Sequence, residues 1–122
     1  MKLHHLALRT ADPAALARWY IALFGLAVWR EQPGPSIWLG LEDAALMIEP
    51  ALPSEPRIPA GTMEFFALRV TAPERDAFLD RCALAGVSVE HRTAFTVYVR
   101  DPDGRRVGVF CFDGFPSTPG VG

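Results

Sequence analysis

Shifted by sixty residues, this chain of 122 residues repeats itself. Ala7-Leu8-Arg9 returns as Ala67-Leu68-Arg69, and Pro13 returns as Pro73. Ser36-Ile37-Trp38-Leu39 returns as the chemically parallel Thr96-Val97-Tyr98-Val99. A period of nearly half the chain means that one supersecondary unit is used twice, each copy unable to bury its apolar face alone. The copies also differ where chemistry is concerned, since His5 of the first corresponds to Phe65 of the second.

Both copies show the same order of elements. Residues 3–9 alternate as a strand does, with Leu6 and Leu8 on one face and His5, Ala7 and Arg9 on the other. Asp12-Pro13 then opens a helix, because an Asp side chain caps free N–H groups and proline fits the first helical position. Leu16, Trp19, Tyr20 and Leu23 make one apolar stripe, and Gly25 suits the helix end. Strand patterns follow at 26–30, 36–40 and 44–49, separated by Gln32-Pro33-Gly34-Pro35 and Glu42-Asp43. In the second copy the strand at 63–70 leads to a helix over 73–85, with Phe78 and Cys82 on its apolar face. Strands at 87–92, 95–100 and 106–112 complete it, with Asp101-Pro102-Asp103-Gly104 as a turn. The fold class is therefore α+β, two tandem βαβββ modules. The chain reads as one domain over 1–122: a first module at 1–50, a Pro-rich linker at 51–62, a second module at 63–113 and a flexible tail at 114–122.

Composition narrows the partners. Half the residues are hydrophobic and 21% are charged, enough for a packed core with an ordinary polar surface. A formal charge of −2 offers no basic footprint for nucleic acid or an anionic membrane. No apolar run reaches the roughly 18 residues needed to span a bilayer. Met1-Lys2-Leu3-His4-His5 does not resemble a signal peptide, and Cys82 and Cys111 lack Cys-x-x-Cys spacing. Reduced thiols in a cytoplasmic protein are the expectation.

Three stretches resemble the vicinal oxygen chelate superfamily, which includes glyoxalase I, bleomycin-resistance proteins, fosfomycin-resistance transferases and extradiol dioxygenases. They are His5-Leu6-Ala7-Leu8-Arg9 with Asp12 and Arg18-Trp19-Tyr20 through Gly25-Leu26, the segment Tyr98-Val99-Arg100-Asp101-Pro102-Asp103-Gly104, and the repeat itself over 3–112. The resemblance implies two modules whose mixed sheets form a cupped, barrel-like cavity with helices outside. It also implies that metal-dependent members place a His on the first strand and a Glu on the last strand of each module. Three or four such ligands with open positions let a divalent metal act as a Lewis acid. Here the first His is His5, the second His position is Phe65, and the second Glu position is Gly108. The first Glu falls somewhere in 45–49, with Glu49 as the candidate.

The resemblance thus leaves His5 and Glu49 as candidate metal ligands and His5 as a candidate acid or base. Repeat mates on the same predicted face supply a ligand-binding set: Arg9, Trp38, Phe65, Arg69, Tyr98 and Phe110. His4 is expected on the opposite face, and His91 on the surface. Aromatic rings in place of polar ligands suit flat organic molecules. The resulting expectation is a homodimer that binds a small aromatic or amphipathic molecule without a cofactor. In the alternative, it is a lyase, isomerase or dioxygenase using Zn, Ni, Mn or Fe at an atypical site.

Overall fold

The computed structural model describes residues 1–29 and 34–115. The turn read at Gln32-Pro33 and most of the tail read at 114–122 lie outside the described residues. The chain divides into two compact units, Met1–Arg57 and Ile58–Gly122. Each holds one helix and one mixed sheet, and neither sheet closes into a barrel.

In the first unit, β1 (His5–Thr10) leads into α1 (Pro13–Phe24), then β2 (Ile37–Gly40) and β3 (Ala45–Pro50). The Asp12 side chain accepts from the Ala15 N–H at 3.1 Å, and Gly25 closes the helix in the left-handed region at φ 66°. That conformation favours glycine, which lacks a Cβ to clash. β3 lies centrally, parallel to β1 and antiparallel to β2. Strand alternation sends Leu8, Leu39, Leu46 and Ile48 to one face, all buried, where α1 adds buried Leu16, Tyr20 and Leu23. Burying each such side chain contributes on the order of 1.5–3 kcal/mol before the entropy of ordering is charged.

The second unit repeats the plan: β4 (Phe65–Arg69), α2 (Ala72–Ala85), β5 (His91–Arg92), β6 (Thr96–Arg100) and β7 (Arg106–Phe110). α2 starts with a reciprocal capping box, in which Thr71 accepts from the Glu74 N–H and Glu74 from the Thr71 N–H. Its sheet runs β4-β7-β6-β5, with β4 parallel to β7. Val97, Val99, Val107, Val109 and Cys111 form its buried face. The turn between β6 and β7 is organised from inside: the buried Asp101 carboxylate accepts from the backbone N–H groups of Asp103 (2.9 Å) and Arg105 (3.0 Å).

Two expected strands are shorter than their patterns. The one at 26–30, whose last residue lies outside the described residues, shows among those described a single bridge from Val28 to Leu39, flanked by backbone bonds Trp29 to Trp38 and Gly40 to Ala27. The one at 87–92 is reduced to β5. Val87 donates to the Cys82 carbonyl and so finishes α2, which delays strand pairing to Glu90. Among the described residues, no helix is long and apolar enough to cross a membrane.

Candidate functional site

The repeat-related parity holds on both sheets. In the first unit His5 sits opposite Ala45, Ala7 opposite Met47 and Arg9 opposite Glu49, with Trp38 beyond Met47. The His5 ring lies 5.0 Å from the Trp38 ring, measured between centroids. His4 joins it: its Nδ1 is 2.8 Å from that of His5, and its ring meets Trp29 and Trp38 edgewise at 6.2 and 6.3 Å. One imidazole must donate and the other accept, so the pair holds a proton between two nitrogens. His4 is therefore not on the opposite face. It precedes β1, so strand alternation does not govern it.

At the other end of β1, Arg9 is enclosed by carboxylates. It donates to Glu49 at 2.8 Å and to Glu55 through Nε and Nη2 at 2.9–3.1 Å. The Arg9 bonds, with one from the Leu52 N–H, hold the Glu55 carboxyl below the usual carboxylate range. Arg69, its repeat mate, instead lies over the Phe112 ring at 5.7 Å. The two arginines are thus not equivalent.

The second unit carries the denser group. Phe65 meets Tyr98 edge to face at 4.8 Å, and His91 lies nearly parallel to Tyr98 at 6.1 Å. The Arg106 guanidinium is set 4.2 Å from the Tyr98 ring centre and 5.9 Å from that of Phe65. Phe110 belongs to a separate group with Phe95 and Phe112, whose rings are 6.2 and 4.8 Å from it. So Phe65 and Tyr98 touch, whereas Phe110 packs toward the far end of β7. Tyr98 also covers Gly108, its partner across the β6–β7 ladder. A Cβ at Gly108 would lie 3.1 Å from both the Tyr98 ring and the Thr96 methyl.

A family model described as the Glyoxalase/Bleomycin resistance protein/Dioxygenase superfamily matches residues 2–109. The chain belongs to this superfamily. No curated protein sequence matches it. Among solved structures it is similar to a lactoylglutathione lyase from Agrobacterium tumefaciens, with 24% identity over 89% of this chain and 92% of that one and a TM-score of 0.67. It is also similar to the oxidase ChaP-H1, with 22% identity over 91% and 95% and a TM-score of 0.73. A third likeness is to the fosfomycin resistance protein FosX from Mesorhizobium loti, with 16% identity over 89% and 90% and a TM-score of 0.67. At these identities the structures share the fold.

Superfamily membership raises the question of a divalent metal, and the strand register shows which residues of the two units are repeat mates at the positions concerned. Ala7 pairs with Met47 as Ala67 pairs with Gly108, so Met47 is the repeat mate of Gly108 and Glu49 that of Phe110. By repeat register His5 corresponds to Phe65 and Met47 to Gly108, while Glu49, the candidate ligand of the first unit, lies two residues beyond Met47. His5 and Glu49 lie four residues apart along the paired strands, about 13 Å at ~3.3 Å per residue. Donors to one zinc ion must each come within roughly 2.0–2.2 Å of it. In this structure the two do not converge: Glu49 is bonded to Arg9 and His5 to His4.

The sequence does not point to His4, Trp29, Glu90 or Arg106 as site residues; His91 is on the surface as expected, and it also lies against the Tyr98 ring. Parity does put Arg106 on the Phe65 and Tyr98 face, but parity says nothing of a long side chain folding over a ring.

Proposed function

We propose that this superfamily member binds a small, flat organic molecule against the aromatic side chains of its open sheet faces, without a metal centre. The observation that carries this reading is the Tyr98 ring over Gly108, which fills the space where a carboxylate ligand would start. Phe65 beside it is half exposed and presents a ring face to an incoming molecule. Trp38 with His5, and Phe110 with Arg69 nearby, extend the same chemistry on their own sheets. Arg9, bound to two carboxylates, serves there mainly as a brace, and His5, hydrogen-bonded to His4, is the candidate acid or base. Likeness to a lyase, an oxidase and a resistance protein supports a small organic ligand but does not choose among reactions. The reading includes a cytoplasmic homodimer, checked by light scattering on the purified protein.

A thermal-shift screen of flat aromatic compounds, followed by calorimetry on wild type, Trp38→Ala and Phe65→Ala, tests the proposal. Loss of one stacking partner should cost about 0.5–1.5 kcal/mol of binding beyond lost area. Stoichiometric, tightly held zinc, nickel, manganese or iron in the purified protein would overturn the metal-free reading.

A further inference from the structure

The most unusual charge in the second unit is Arg106, the first residue of β7. It is only 7% exposed, and among the described residues its Nε is buried without a hydrogen-bond partner. The nearest carboxylate oxygen, on Glu90, is 3.5 Å away, too far for a good hydrogen bond. Both oxygens of Glu90 are engaged by Arg100, through its Nε and Nη2. Arg106 Nη1 faces only the Met63 sulfur at 3.9 Å, a weak acceptor. Two guanidinium groups therefore share one carboxylate, and a positive charge is left over in a largely dry place. The Tyr98 ring below attracts the cation but supplies no lone pair for its N–H groups.

We infer that Arg106 is the anchor for an oxyanion, so that the molecule bound at this face is an aromatic carboxylate or a close analogue. This rests on the small-molecule reading above and adds the charge of the ligand. A planar guanidinium receives a carboxylate through two parallel N–H groups, and here Nε is the group that lacks an acceptor. Met63 and Phe65 beside it are both well exposed, so they have room to rotate and admit the anion. With its acid group on Arg106, the aromatic body of such a molecule lies against Phe65, whose ring is 5.9 Å from the guanidinium carbon.

The test compares 2-naphthoate with its neutral isostere 2-naphthamide by calorimetry, on wild type, Arg106→Met and Arg106→Lys. Wild type should favour the acid by about tenfold or more, the usual scale for a charge-assisted pair. Arg106→Met should erase that preference while leaving the amide nearly unchanged, and Arg106→Lys should retain part of it. Equal binding of acid and amide by wild type would overturn the anchor but leave the small-molecule proposal standing. If neither these nor any neutral or anionic aromatic compound binds, both fall. Persistence of the preference in Arg106→Met would move the anchor to another arginine. If Arg106→Met does not fold, the Arg106 Nε–H resonance of wild type decides: it should shift on adding 2-naphthoate, and a still resonance refutes the contact.

Discussion

Replacing Gly108 with alanine tests the packing on which the metal-free reading stands. The backbone there is not in the left-handed region, so a side chain meets no strain from φ. In open space the change would stabilise by about 0.4–1 kcal/mol, because alanine has less unfolded-state freedom to lose. The space is not open. The new Cβ would stand 3.1 Å from the Thr96 methyl and 3.1–3.2 Å from two Tyr98 ring carbons, inside the ~3.5–4.0 Å at which carbon contacts are favourable. Tyr98 cannot simply swing away, since Phe65, His91 and Arg106 flank its ring. Overpacking of this kind costs about 1–3 kcal/mol, which against that gain leaves a net loss of about 1.3 kcal/mol between the midpoints of the two ranges. For a chain of this length each kcal/mol lowers Tm by roughly 3–5 °C. Urea unfolding at unchanged m value gives the free energy directly. Adding Thr96→Ser, which removes one of the contacting carbons, should recover part of the loss. A Gly108→Ala protein as stable as wild type would mean that Tyr98 does not occupy this space, and room for a ligand carboxylate would be restored.

Three further outcomes follow from the same structure. Asp101→Ala should destabilise by about 1–3 kcal/mol, because two backbone N–H groups lose their acceptor; a change under 0.5 kcal/mol in urea unfolding would refute the inside-out turn. Glu55→Gln should be less stable than wild type at neutral pH and approach it in acid. The folded-state carboxyl is depressed from its ordinary value of 4.5, so its contribution is present above that pH and fades as the pH drops through the lower folded value. A gap that stays constant from pH 7 to about pH 3 would break this reasoning. Burial pushes the Cys82 thiol up to about 11, so iodoacetamide at about pH 8 should alkylate it far more slowly in the folded than in the urea-unfolded protein. Equal rates in mass-spectrometric time courses would contradict it.

Much of the fold was legible because local rules and the repeat agree. Asp12-Pro13 and Gly25 bound α1 as their chemistry requires, and the alternation of His5, Ala7 and Arg9 against Leu6 and Leu8 is the alternation observed. The second strand of each copy is less regular than its apolar pattern, because the pattern does not show that Val87 is needed to finish α2 or that, among the described residues, Val28 alone forms a bridge to Leu39. At the candidate site, parity placed residues on faces but could not rank them. Arg9 and Arg69 are identical in the repeat and differ through their surroundings: Glu49 across the ladder and Glu55 beside it for one, Phe110 across the ladder and the Phe112 ring for the other. The group around Arg106 needed three dimensions, since Glu90, Tyr98 and Phe65 come from three separate segments.

The duplicated triplet, Ala-Leu-Arg in β1 and again in β4, also bears on how faithfully the chain folds. Strands with the same centre are candidates to be exchanged while the chain is still assembling, each parallel slot accepting the wrong copy. Their ends make the slots distinguishable. In its own slot Arg9 meets Glu49 and Glu55, and Phe65 lies beside Arg106. Exchanged, Arg9 would face Phe110 and Arg69 would face Glu49, so the arginines alone do not tell the slots apart; at the other end His5 would adjoin Arg106 and Phe65 would adjoin Ala45. The centres of the two strands supply cohesion common to both copies, while their divergent ends carry the proofreading.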